Sequence, residues 1–168
     1  MDELQMLELL NSAPTEDGRV RELLVDDERT RKLVAGLGGD LTESTLQTLR
    51  GVRDDVHRVV RGEADEEILQ RHLDGVVARP VIEDGVLVWR PDLSEADEIA
   101  SGVVLAWTDL AARFPGRVRA CANGECSKFL IDHSRPNSAR WCSMADCGNR
   151  LKARRHSARR SATDQPAG

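Results

Sequence analysis

The first 120 residues of this 168-residue chain contain no cysteine. Aromatic residues are nearly missing too: Trp89, Trp107, Trp141, Phe114 and Phe129 are the only ones. Any core must therefore rest on Leu, Val and Ala, the residues of helix packing. No run of about 18 apolar residues occurs, which excludes a helical membrane span, and the acidic start is unlike a secretory leader. These two features predict a cytoplasmic protein. The chain has no phosphate-binding loop, dinucleotide glycine pattern or histidine-carboxylate metal motif, and no internal repeat. His133 and Ser134 beside Asp132 offer catalytic residue types, but near-consecutive residues cannot readily line up as nucleophile, base and orienter. No enzyme is expected.

What the chain does have is concentrated near its end. Cys121-Ala-Asn-Gly-Glu-Cys126 and Cys142-Ser-Met-Ala-Asp-Cys147 form two C-x4-C pairs separated by fifteen residues. Each pair can close a tight turn with both thiolates on one side, and two such turns facing each other supply the tetrahedral sulfur shell that Zn2+ prefers. Four sulfurs leave no open position for water, so the site is expected to be structural, with one Zn2+ on Cys121, Cys126, Cys142 and Cys147. Two disulfides would fit a reducing compartment poorly, and a redox dithiol would want C-x-x-C. An iron-sulfur cluster is chemically allowed but usually shows other spacings.

The net charge of -5 conceals a division. Residues 1–112 hold 12 Lys and Arg against 25 Asp and Glu, whereas residues 113–160 hold 12 against 3. A zinc ion with four thiolates adds a formal -2, so the carboxy-terminal module stays basic when metallated. An acidic domain joined to a basic module predicts an anionic partner for the module, nucleic acid first; masking of the basic half by the acidic half is the other reading.

Taken in order, the pattern predicts a mainly α protein with a small β-hairpin (α+β). Leu4 to Leu10 recur at helical spacing, and 11–18 reads as a loop. Asp26 can cap a helix carrying Thr30, Leu33, Val34 and Leu37. Thr42 caps the next, whose apolar positions Leu46, Leu49, Val52, Val56, Val59 and Val60 run to Gly62. Another helix should begin at Asp65, and His57 and His72 on these two helices read as surface or boundary residues. Two short apolar runs flank Asp84-Gly85, the signal of a tight hairpin, which is expected to lie on the helices. Ser94 or Asp92 should start a long helix ending near Phe114. Pro115-Gly116 is the expected joint, giving an acidic helical domain at 1–114, a metal finger with a basic helix at 117–160 and a disordered tail at 161–168.

In the finger, Asn123 and Gly124 are expected to donate backbone N-H groups to the thiolates, Phe129 to Ile131 to form a strand, and Cys147 to sit at the start of a helix from Gly148 towards Arg160. Trp141 reads as a hydrophobic lid, with base stacking its other conceivable role. Lys128, Arg135, Arg140, Arg150, Lys152, Arg154, Arg155, Arg159 and Arg160 are candidate phosphate contacts, and Asn149, Arg150 or Arg154 could read bases. A solvated carboxy-terminal helix is the alternative reading of those cations.

The segment also resembles a known family, the CGNR zinc finger, through Cys147-Gly148-Asn149-Arg150, Ile131-Asp132-His133-Ser134-Arg135-Pro136-Asn137, Arg140-Trp141-Cys142-Ser143-Met144 and Lys152. It departs from the family pattern at Ala139, where another Arg is common; one candidate phosphate contact is thereby removed and the metal shell is untouched. The upper part, with Leu9-Leu10-Asn11-Ser12 and Thr48-Leu49-Arg50, is similar to the ABATE-type domain that usually precedes this finger in bacterial stress-induced transcription regulators. The resemblance implies a zinc-binding, DNA-binding transcription regulator. The alternative is a zinc-stabilised protein- or RNA-interaction module without sequence-specific DNA binding. A homodimer, or a small effector in the amino-terminal domain, is compatible with either.

Overall fold

A computed structural model describes residues 1–16, 18–93, 97–149 and 152. Helix α1 (Glu3–Leu10) opens with a reciprocal capping box, in which Asp2 accepts from the Gln5 backbone while the Gln5 side chain accepts from the Asp2 backbone. The predicted loop after it contains one strand of a minimal ribbon, β1 (Thr15–Glu16) against β2 (Arg19–Val20). Helix α2 (Glu28–Ala35) is capped by Asp27 rather than Asp26, because Asp27 is the extended residue whose carboxylate reaches the Thr30 N-H at 2.8 Å. Asp26 pairs with Arg31 instead.

Helix α3 (Glu43–Arg61) is the axis of the fold. Thr42 caps it as predicted, and Gly62, at φ 69°, ends it in the left-handed conformation that glycine adopts without a Cβ penalty. Leu46, Leu49, Val52 and Val56 line its buried side, each contributing about 1.5–3 kcal/mol of burial. Helix α4 (Glu98–Arg113) packs against it through Ile99, Val103, Val104, Trp107 and Leu110, and Met6, Leu9 and Leu10 of α1 complete the same cluster.

Three expectations are corrected here. The segment after Asp65 is a 3₁₀ helix (Glu66–His72): the Asp65 side chain, unlike Asp2, Asp27, Thr42 and Asp97, makes no capping hydrogen bond, the chain turns at Gly75, and the one buried residue is Leu69. The cap of α4 is Asp97, which accepts from Ile99 and Ala100 at 3.0 Å; Asp92 is the last residue of a strand, and Ser94 lies outside the described residues. The hairpin forms as predicted, β3 (Val77–Glu83) against β4 (Val86–Asp92) around Asp84 and Gly85 at positive φ, but both of its faces are largely exposed instead of lying on helices. Among the described residues no helix is long and apolar enough to cross a membrane.

Candidate metal centre

The chain leaves α4 through Phe114 and turns at Gly116, φ 65°, into β5 (Val118–Ala120), which pairs antiparallel with β6 (Phe129–Ile131). The first cysteine pair closes the end of this ribbon. Cys121 N-H donates to the Lys128 carbonyl and Cys126 N-H to the Asn123 carbonyl, both at 2.8 Å, so the two sulfurs fold back towards each other. Ala122 N-H donates to the Arg140 carbonyl and ties this knuckle to the segment that delivers Cys142. The second pair brackets the start of a π-helical turn, Met144–Gly148: Cys142 stands just before the cap, Ser143, whose hydroxyl accepts from Asp146 N-H, and Cys147 lies within the turn. Cys147 is inside that turn and not at its amino terminus, since the cap falls four residues earlier than the sequence pattern predicts.

All four Sγ atoms lie within 4.8 Å of one another. Cys126 and Cys142 are 3.7 Å apart, and Cys142 and Cys147 3.6 Å. Ligands about 2.3 Å from a tetrahedral zinc stand about 3.8 Å from each other, so the shell matches one such ion. Disulfide sulfurs would be about 2.05 Å apart; these thiols are free. A closed set of four soft sulfurs accommodates a single Zn2+ in a structural role. Burial and the neighbouring thiols oppose ionisation of Cys142, burial likewise opposes it at Cys126, and at Cys147 the Asn123 amide and the adjacent thiols favour it against burial. A dication resolves the conflict by stabilising all four thiolates together.

A family model for the CGNR zinc finger matches residues 117–160. This segment is a CGNR zinc finger. No curated protein matches the chain.

Hydrogen bonding around the sulfurs of the CGNR finger differs in part from expectation. Asn123 does serve a thiolate, but through its side chain, with Nδ2 3.6 Å from Cys147 Sγ, and the backbone donor to Cys126 is Lys128. Gly148 packs tightly: a Cβ there would stand 3.0 Å from Met144 Sδ and 3.4 Å from Trp141 Cδ1, so the exposed Met144 side chain would have to shift by a few tenths of an ångström. Trp141 is half-buried, with the Arg140 guanidinium over its ring. Behind the cysteines, Asp132 is buried and accepts from Ser134 N-H at 2.8 Å and Ala139 N-H at 2.7 Å. The Ser134 hydrogen bonds, with the Ala139 bond and the Arg119 charge behind them, hold its carboxyl below the usual range. Asp132 and Ser134 thus organise the loop through their hydrogen bonds.

The finger does not hang from α4. Phe129, 1% exposed, enters the main core, and the Asn11 side chain bonds its backbone twice, accepting from Phe129 N-H at 2.7 Å and donating to Phe129 O at 3.2 Å. His57 of α3 stacks on the Phe129 ring at 4.4 Å, Arg61 covers it at 4.9 Å, and the Ser127 hydroxyl accepts from Thr15 N-H at 2.7 Å. His57 is therefore a core residue, not the surface or boundary residue its helical position suggests. Its Nε2 donates to the Leu10 carbonyl at 2.8 Å, which satisfies the ring where the pattern gave no partner. His72 is a boundary residue, 2.7 Å from buried Asp55.

Of the candidate nucleic-acid residues, Lys128, Arg135, Arg140, Asn149 and Lys152 are exposed. None of the four cations among them has an ion-pair partner among the described residues. Arg150, Arg154, Arg155, Arg159 and Arg160, most of the expected basic helix and the tail 161–168 lie outside those residues. Sequence reasoning passed over Arg117 and Arg119, which are spent internally: Arg117 donates to the carbonyls of Asp132 and Ser134 at 2.8 Å, and Arg119 to that of Asn137 at 3.0 Å. Their alternation at 117 and 119, flanking Val118 just ahead of Cys121, is the sequence signal that marks them as one face of the chain at β5.

Proposed function

We propose that this protein is a cytoplasmic bacterial transcription regulator that binds DNA through its zinc finger and has no catalytic activity. The observation that supports the reading most is a contrast in how cations are used. In the helical domain, Arg29, Arg31, Arg53, Arg71, Arg79 and Arg90 are all ion-paired. On the finger, Lys128, Arg135, Arg140 and Lys152 are exposed without such partners among the described residues, and the sequence continues with five more arginines by residue 160. Unneutralised cations on a metal-fixed platform suit phosphates, while Asn149 is the nearest exposed group of a type that reads adenine. The ABATE-like pattern of the amino-terminal half adds a stress-linked signal to the proposal. The cavity beneath α1 and α2, lined by Ser12, Leu24, Thr30 and Leu33, has a volume of about 10 Å³ that suits one water, so a small effector would take instead the larger open groove between the same helices, about 520 Å³, lined by Gln5, Glu8, Glu28, Arg29 and Lys32.

The test is binding of zinc-loaded protein to mixed duplex DNA across a salt series. Six or more phosphate contacts would lower affinity about a thousand-fold between 50 and 200 mM salt. Arg154→Ala with Arg155→Ala should keep one zinc per chain and flatten that dependence by about one contact each. Binding that ignores salt, or a double variant with unchanged affinity, would remove the proposal.

A further inference from the structure

The β3–β4 hairpin has two chemically different faces. Because the strands are in register around a two-residue turn, Ala78 faces Pro91, Pro80 faces Trp89 and Ile82 faces Leu87, and these six side chains share one side of the ribbon. That side carries no charged group, and its one side-chain polar atom is the Trp89 indole nitrogen. The opposite side alternates valines, Val77, Val81, Val86 and Val88, with four charged residues that neutralise one another: Arg90 bonds Glu83 through two nitrogens, at 2.8 and 2.5 Å, and Arg79 pairs with Asp92. The mixed side keeps its two exposed valines, Val77 and Val86, among paired charges, whereas the other side has no charge at all and exposes its larger side chains, Ile82 at 70%, Trp89 at 61% and Leu87 at 55%.

From this asymmetry we infer that the apolar side of the hairpin is a homodimer contact, on which the same face of a second copy of the chain stacks. Four observations point to a second copy. First, the chain has little of its own to cover the face: the residues outside the description, 17, 94–96, 150–151 and 153–168, contain one large apolar side chain, Leu151. Second, the strand edges are poor docking sites. Closure by a two-residue turn makes Glu83–Val86 a hydrogen-bonded pair, so the Pro80 and Pro91 positions are non-bonded ones that face outwards, and each proline removes a donor from its edge. Addition of another strand is blunted, which leaves the face. Third, an uncharged, twisted apolar face is complementary to itself about a two-fold axis, with no like charges brought together, while a charged partner would find nothing on it to pair with. Fourth, the area suffices. At these exposures the face offers on the order of 500 Å² per chain, so a pair buries about 1,000 Å², the lower bound for a specific association. A two-stranded ribbon alone is marginal in water, and stacking would give each ribbon the second layer it lacks.

The contact stands independently of DNA binding and of the metal. It is tested on the full zinc-loaded chain by sedimentation velocity from 1 to 100 µM, with hydrogen exchange of residues 77–92 followed over the same range. The expected result is a reversible dimer whose hairpin amides gain protection as concentration rises, and whose association holds or tightens with added salt as the acidic domains are screened. Ile82→Glu with Trp89→Glu should weaken the dimer about 30-fold or more, whereas Trp89→Phe and the reverse-face pair Val81→Thr with Val88→Thr should retain it. Zinc content and helical circular dichroism should be unchanged in all variants. A monomer at 100 µM, a dimer indifferent to the glutamate pair, or equal loss in the reverse-face variant would each overturn the inference.

Discussion

His57 shows how one position on a helix can serve a junction. Burial pushes its pKa down to about 4 from an ordinary 6.5; the Leu10 carbonyl pulls the other way, and the charges of Arg61 and Arg53 add to the depression. The folded state therefore keeps the ring neutral at pH values where the unfolded chain protonates it. Stability from this residue is fully present above pH 6.5 and falls as the pH drops towards 4, by about 3 kcal/mol at most. Glu22 and Asp132, held below their ordinary carboxylate values, add losses only at lower pH. Denaturant titrations of the zinc-loaded protein between pH 7 and 4.5 should show this slope, and His57→Gln should flatten it. Parallel curves for the two proteins would mean that the ring does not titrate with unfolding. The Leu10 carbonyl and the Phe129 ring that set this pKa belong to distant segments, so the behaviour is absent from the helical pattern around His57.

Helix ends show where local reading succeeds and where it slips. Thr42 and Gly62 were legible as the bounds of α3 because each acts within its own turn, the hydroxyl on Thr45 N-H and the glycine through φ. Asp97 was not, because Asp92, Ser94 and Asp97 all have capping chemistry and only the preceding strand decides among them. Asp97→Ala should cost about 1 kcal/mol of stability, with its two N-H contacts and the link to Thr48 lost. Asp92→Ala removes the pairing with the exposed Arg79 side chain and should cost less than half of that. Thermal denaturation of the two variants side by side settles the ordering. The hairpin was legible in its turn and register for the same local reason, whereas its lack of support on the helices is a tertiary fact that alternation in 77–92 cannot express.

Across the molecule, the metal shell was fully legible, since four cysteines at these spacings leave few other geometries. The setting of the finger was not. Taken by itself, segment 117–160 has chiefly Phe129, Leu130, Ile131 and Trp141 to bury, too little to stay folded without metal; in the structure Phe129 and Ile131 join the helical cluster, and Asn11 fixes the strand from the far side. Chelation should accordingly strip exchange protection from the two knuckles, 121–127 and 140–149, while the amides of 129–131 and the helical signal largely persist. Hydrogen exchange with and without chelator reads this directly, and complete exchange of 129–131 on zinc removal would show that the metal, not the helices, holds the strand. The same insertion bears on synthesis. Asn11 and Phe129 are 118 residues apart, so a ribosome adding 5–20 residues per second makes α1 roughly ten seconds before the side chain that fills the gap beside it. Until then the nascent helices present an open apolar slot to the cytosol, where a chaperone or another chain can enter, and the arrival of the finger is what seals it.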